Sequence, residues 1–189
     1  MPTGYQIKDQ STPHYLTFQV VYWIDLFTRP VYRDIIIDSL KYCQREKGLE
    51  VFAYVIMSNH IHIIARSATE ELSNTIRDFK KYTSKKIIEH ISESSKESRK
   101  EWMLRLFNHA AKRQNKDGQF QVWTHENHAI EVTGNSLIES KVEYIHNNPV
   151  RAGIVNRAED YRYSSASSYA GEDSLLDVIS VFFRVKTVR

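Results

Sequence analysis

Residues 50–66 read EVFAYVIMSNHIHIIAR, two β-rich runs at 50–57 and 61–66 joined by Ser58-Asn59-His60. Branched and aromatic side chains suit a pleated strand, while serine and asparagine suit a turn, so the stretch predicts an antiparallel hairpin. Upstream, residues 14–23 (HYLTFQVVYW) alternate, with Leu16, Phe18, Val20 and Tyr22 on one face, as in a half-buried strand. Between the two lies 31–47, where Val31, Ile35, Ile36, Leu40 and Cys43 recur at helical spacing until Gly48 stops them. Cys43 sits on that apolar stripe and reads as a small buried hydrophobe. Downstream, 70–91 predicts a second helix, with Leu72, Ile76, Phe79, Thr83 and Ile87 along one face.

The remainder completes the pattern. Residues 92–100 (SESSKESRK) are polar and aromatic-free, as in a solvated loop. A short helix is expected over 101–118, stopping near Asp117-Gly118, and a strand over 119–124, continuing toward Val132. Gly134-Asn135-Ser136 supplies capping residues for a helix over 136–147, and Pro149 ends it by disfavouring the helical conformation at the residue before it. The order β-α-β-β-α-(insert)-β-α predicts an α+β fold, an antiparallel sheet with helices packed on one face. It divides the chain into an N-terminal extension (1–13), one domain (14–170, with 92–118 as an insert) and a tail (171–189).

Composition bounds the function. The chain has 189 residues, 41% hydrophobic and 12% aromatic, which excludes a disordered or collagenous protein. Asp25 and Arg29 interrupt the most apolar stretch, so no membrane span is expected. The opening MPTGYQIKDQSTPHY lacks the apolar core of a secretory signal, and a single cysteine fits a reducing compartment. A cytoplasmic location is expected. The 26 Lys+Arg against 23 Asp+Glu give a net charge of +3, a weak tilt toward an anionic partner.

Two constellations carry chemistry. In His60-Ile61-His62 the two imidazoles lie at i and i+2 of a strand, so they project from the same face, a half-site for a divalent metal. Taken alone, the tripeptide also describes ordinary strand histidines. On the late helix, Ile138, Val142 and Ile145 set the core stripe. Tyr144 and Asn148 fall off that stripe yet share a face at i, i+4. A phenol and a carboxamide are thus presented together away from the core.

The segments Tyr54-Val55-Ile56-Met57-Ser58-Asn59-His60-Ile61-His62-Ile63-Ile64 and Glu143-Tyr144-Ile145-His146-Asn147-Asn148-Pro149-Val150-Arg151-Ala152-Gly153 resemble the single-tyrosine HUH transposases, and the branch of REP-associated tyrosine transposases in particular. HUH denotes His, bulky hydrophobe, His. Phe79-Lys80-Lys81-Tyr82-Thr83-Ser84 and His128-Ala129-Ile130 are similar as well. The likeness covers roughly residues 14–170, leaving out the last fifteen or so and the 92–118 insert.

That resemblance implies a ferredoxin-like domain that cuts single-stranded DNA beside hairpins and rejoins it elsewhere. Tyr144 would be the nucleophile, leaving a 5′-phosphotyrosine and a free 3′-hydroxyl. His60, His62 and Asn148 would hold Mg²⁺ or Mn²⁺ to polarise the scissile phosphate. The family includes monomers and homodimers, some exchanging the tyrosine helix between subunits, and a nucleoid-associated life in the cytoplasm follows. Arg151 resembles the basic residue of the family stretch and is expected near DNA.

Rival readings accompany it. Tyr82, on a basic helix, is a second candidate nucleophile, though Lys86 rather than a carboxamide lies one turn later. A zinc site joining His125 and His128 to the histidine pair is a further rival, one that no established zinc spacing supports. His146 is a local alternative to Asn148, pointing elsewhere on the helix. Arg66, Arg77, Lys80, Lys81, Lys85 and Lys86 form a cationic stretch suited to phosphates, and equally to a solvated helix face. Trp123, Tyr161, Tyr163 and Tyr169 read as core or rim packing before base stacking. Two alternative functions remain: a non-catalytic hairpin-binding protein, and a nuclease that uses water.

Overall fold

Alternation in the first strand and in the hairpin determines how the sheet assembles. In the computed structural model, which describes residues 7–114 and 119–181, β1 (His14–Gln19), β2 (Leu49–Ile56), β3 (His60–Ser67) and the short β4 (Ile130–Glu131) form one antiparallel sheet in the order β2-β3-β1-β4. With α1 (Pro30–Lys47) between β1 and β2, and α2 (Leu72–Glu93) after β3, this is the ferredoxin-like arrangement. Leu16, Phe18, Ile61 and Ile63 face α1 and α2, where Phe18 meets Phe79 with ring centroids 5.6 Å apart. Cys43 is buried there as expected, and burial pushes its thiol up to about 11.

The elements start and stop for local reasons. Pro30 opens α1, where its missing N–H costs no bond. Gly48 closes it at φ +62, donating its N–H to Cys43 O; a Cβ there would meet Thr69 Cγ2 at 3.1 Å. The free edge of β2 is covered by the C-terminal segment: Ile56 N–H donates to Tyr163 O at 2.9 Å and Ser165 N–H to Tyr54 O at 3.0 Å. Tyr161 and Tyr163 are buried in that seam. The Tyr161 hydroxyl donates to Ile56 O and that of Tyr169 to Phe52 O.

α4 (Asn135–Arg151) adds a layer that the one-sided picture of the helices did not include. α1 and α2 cover one face of the sheet, and α4 lies against the other, sinking Ile138, Val142, Ile145 and Pro149 while turning Tyr144 toward the histidines. The helix does not end at Asn147. Pro149 sits inside its last turn, where it removes a single N–H, and Ala152 N–H still donates to Asn148 O before Gly153 breaks the helix at φ +69.

Three further expectations are corrected. The first strand ends at Gln19, not Trp23, because the chain turns through a 3-10 turn at Val21–Trp23 with Tyr22 and Trp23 at φ +56 and +55. Such left-handed backbone costs roughly 1–2 kcal/mol per non-glycine residue. Residues 119–124 are not a strand: Trp123 makes one isolated bridge to Val20, and its indole is drawn into the core against Phe27 and Phe79, donating to Thr83 Oγ1 at 3.0 Å. The polar run 92–100 is not simply solvated. Glu97 is buried, accepting from the Tyr32 hydroxyl at 2.7 Å and pairing with Arg29 and Arg99 at 3.2 and 3.1 Å. Three charged and polar partners are what allow an acid to be buried there. α3 (Lys100–Lys112) follows, with Met103, Phe107, Ala110 and Ala111 buried. Its expected stop at Asp117-Gly118 lies outside the described residues. Among the described residues no helix is long and apolar enough to cross a membrane.

Candidate active site

His60 and His62 open β3 and project from the face away from α1 and α2, with ring centroids 4.6 Å apart. The β1–β3 register sets Gln19 opposite His60 and Thr17 opposite His62, so β1 contributes its polar alternation to the same face. His62 is buried. Its Nδ1 lies 2.8 Å from the Tyr15 hydroxyl and 3.0 Å from Thr17 Oγ1, and the Tyr15 ring stacks on the imidazole at 5.4 Å. His60 Nδ1 lies 2.7 Å from Asn59 Oδ1, and Asn59 Nδ2 in turn donates to Asp25 Oδ1 at 3.2 Å. Each ring is therefore held through Nδ1 by a neighbour, which leaves Nε2 unused by those bonds.

Burial disfavours charge on the pair. Burial, then His60, then Lys141 push His62 down to about 3, and burial lowers His60 as well. Burial also pushes the Tyr15 phenol up to about 12, so it stays a hydroxyl beside the imidazole. Neutral histidines with oriented Nδ1 atoms are what metal ligation requires.

α4 brings Tyr144 to this pair. Its ring centroid lies 5.4 Å from that of His62 and 6.3 Å from that of Tyr15, and the side chain is 40% exposed, open to a large substrate. The Arg151 guanidinium lies 5.8 Å over the Tyr144 ring, and Lys141 Nζ 4.8 Å over that of Tyr15. One turn after Tyr144, Asn148 Nδ2 donates to Tyr144 O at 2.8 Å, which leaves the carboxamide oxygen unused by that bond. Two imidazole nitrogens and one carboxamide oxygen would make a donor set of intermediate softness, suited to Mn²⁺ and acceptable to Mg²⁺.

Residues 14–107 match the family model for IS200-like transposases. The chain belongs to that family. The matched stretch of this IS200-like transposase holds the hairpin and both histidines and stops before α4. Among solved structures, a REP-associated tyrosine transposase bound to a REP hairpin superposes with a TM-score of 0.60 at 18% identity, covering 99% of this chain and 98% of that one. That likeness gives the fold. A candidate transposase from Deinococcus radiodurans R1 aligns at 16% identity with a TM-score of 0.39, over 78% of this chain and 97% of that one. No curated protein matches the chain significantly.

Not every residue singled out from the sequence gathers here. In the transposase Tyr82 belongs to α2, across the sheet from the histidines, half-exposed with Lys86 Nζ 6.0 Å over its ring. His146 is turned away, bonded to Ser165 Oγ at 2.8 Å and packed on Tyr169. Among the described residues no three His, Cys, Asp or Glu side chains are grouped to hold a metal, which leaves the four-histidine zinc reading without support. Arg66 sits at the far end of β3, paired with Glu50 and 5.6 Å over Phe52. Arg77, Lys81 and Lys85 line a groove of about 970 Å³ between α2 and residues 119–127, with Phe120 exposed at its rim. Arg77 pairs with Asp78, and Lys85 lies 3.7 Å from Glu89. Lys80 serves the fold: its ammonium lies 5.3 Å over Phe18 and donates to Thr124 O at 3.0 Å and to Asn127 Oδ1. Burial pushes it down to about 8.

The sequence reading passed over Tyr15, Thr17, Asn59, Trp23 and Lys141. Parity was the available signal for two of them: Tyr15 and Thr17 occupy the face of β1 opposite Leu16 and Phe18, and the histidines occupy the face of β3 opposite Ile61 and Ile63.

Proposed function

We propose that this transposase cleaves and rejoins single-stranded DNA through a covalent tyrosine intermediate. The observation that carries the reading is the approach of Tyr144 to His62 at 5.4 Å on an open surface, joining two motifs that lie 82 residues apart in the chain. The Tyr144 oxygen forms a bond to the scissile phosphorus, and the bond from phosphorus to the upstream 3′-oxygen breaks. The phenol proton passes to solvent, and the departing 3′-oxygen gains one. Attack by a second 3′-hydroxyl reverses these steps at a new junction, so no nucleotide cofactor is needed to drive rejoining.

The chain's own groups position the reaction. Arg151 and Lys141 place positive charge beside the Tyr144 and Tyr15 rings, where a phosphate approaching the phenol meets them. His62 with its proton on Nδ1 donates to the Tyr15 or Thr17 hydroxyl and offers the Nε2 lone pair. His60 does the same against Asn59 Oδ1, and Asn148 adds its carboxamide oxygen. These three side chains would hold a divalent metal, which when bound would supply polarisation of the phosphate and stabilisation of the leaving oxygen. A DNA hairpin beside the cleaved strand is the expected partner.

The test incubates the protein with labelled single-stranded DNA from around its own gene and Mn²⁺, followed by denaturing electrophoresis. A protease-sensitive covalent band is expected from the wild type and from Tyr82→Phe, and none from Tyr144→Phe, whose DNA binding stays intact. Nicks with no covalent band point to a water-using nuclease instead. Specific binding with neither nicks nor band points to a hairpin-binding protein.

A further inference from the structure

Packing does not explain the turn at Val21–Trp23. Val20, Val21, Ile24, Leu26 and Phe27 are all buried, yet Tyr22 and Trp23 among them are 42% and 60% exposed. Both hold a left-handed backbone, a state rare for bulky residues and concentrated at functional sites. Bonds on either side enforce it: Val20 N–H donates to Asn59 O at 3.0 Å, Val21 N–H to Val122 O at 2.9 Å, and Phe27 N–H to Ser58 O at 2.8 Å. The fold thus holds two large rings in water at positions where glycine would be unstrained. Tyr22 leans on His109 of α3, and Trp23 meets His60 edge-on at 6.1 Å.

From Trp23 the rings continue as a row through His60 and His62 to Tyr144, in steps of 6.1, 4.6 and 5.4 Å. Trp23 thus contacts the His60 end of the pair and Tyr144 the His62 end. Displacement at phosphorus sets the attacking and departing oxygens roughly in line. With Tyr144 attacking from one end, the departing 3′-oxygen lies toward the other, and so does the nucleotide that carries it.

We infer that Trp23 stacks on the unpaired base of the nucleotide immediately upstream of the scissile phosphate, holding the released 3′ end in place for rejoining. The inference rests on the reading of Tyr144 as nucleophile. The stack makes and breaks no bond, and an indole face accepts any of the four bases, so its contribution tolerates sequence changes.

The test has two parts, both on the full chain. With a mixed-sequence single-stranded oligonucleotide, binding is followed by anisotropy and stacking by tryptophan emission; Trp123 is buried, and Trp102 is the other exposed indole. Emission is expected to fall on binding in the wild type and to stay largely unquenched in Trp23→Phe, which still binds. Trp23→Ala is expected to bind about ten-fold more weakly with an unchanged Tm. In the second part, DNA cut by the wild type receives an abasic nucleotide just upstream or just downstream of the cleaved bond. The upstream lesion is expected to lower wild-type adduct yield about ten-fold and Trp23→Ala no further, whereas a downstream lesion compounds the Trp23→Ala defect. Full quenching in Trp23→Phe, or coupling to the downstream position, overturns the stacking role while covalent adduct still forms. Absence of adduct from the wild type overturns the Tyr144 reading, and the upstream assignment with it.

Discussion

Thr17 and His62 face each other across β1 and β3, the threonine hydroxyl 3.0 Å from the imidazole Nδ1, and the Tyr15 hydroxyl reaches the same nitrogen at 2.8 Å. One ring nitrogen therefore has two partners, either of which can fix its proton. Tyr15→Phe and Thr17→Val should each weaken Mn²⁺ binding slightly, and the double variant by about ten-fold or more. Isothermal titration of the three variants checks this. An unaltered affinity in the double variant rules out the hydroxyl pair as the device that orients His62.

Asn148 offers its carboxamide oxygen after its amide has bonded to Tyr144 O. Asn148→Ala should lower Mn²⁺ affinity about ten-fold or more, and Asn148→Asp, which keeps an oxygen and adds charge, should restore it. Titration with the metal separates the two; equal losses in both variants count against the residue as a ligand.

Glu97 predicts an acid limb in stability. Burial pushes its carboxyl up, but bonds from Arg99 and Tyr32 outweigh this and hold it at about 2, below the ordinary 4.5. A depressed folded-state value means that the contribution is complete above about pH 4.5 and disappears as pH falls toward 2. The loss is roughly 3 kcal/mol. Urea unfolding between pH 5.5 and 2.5 should show this decline in the wild type and a shallower one in Glu97→Gln, which should already be less stable at pH 7.

Lys80 and Lys81 are neighbours with opposite expected behaviour. Lys80→Met leaves Thr124 O and Asn127 Oδ1 without their donor and should destabilise the fold by roughly 1–3 kcal/mol, with little change in the salt dependence of DNA binding. Lys81→Ala should leave the Tm alone; if the groove on α2 carries DNA, the slope of log affinity against log salt should fall by about 0.7. Thermal melts and salt titrations of the same two variants decide both points.

Legibility in the sequence followed distance along the chain. Strand parity is local, so the shared face of His60 and His62 could be read directly, and helical periodicity turned Tyr144 and Asn148 off the core stripe of α4. Element order predicted the α+β class and the antiparallel sheet, and the strand order came with the structure. What escaped were facts settled by partners far away. The register that joins Thr17 to His62 spans 45 residues, and the acid pocket around Glu97 draws on Tyr32, 65 residues earlier. Lys80 resembled its neighbours in a basic run until residues 124–127 folded over it. Trp123 left the expected strand because a core of aromatic rings holds its indole more strongly than a ladder holds its backbone. Pro149 failed as a stop signal because in a last turn it forfeits only one bond.

The seating of α4 also sets what it would cost to hand the tyrosine to a second copy. Ile138, Val142, Ile145 and Pro149 root the helix under its own sheet, and withdrawing them to water forfeits roughly 1.5–3 kcal/mol for each large apolar side chain. A second copy offering the same helix would refill the gap, so reciprocal exchange is nearly neutral at equilibrium. The passage between the two arrangements is uphill, because both sheets stand bare along the way. In a dimer that exchanged this helix, the arrangement formed as the chain folds would therefore be slow to change, its lifetime set by the buried face of α4.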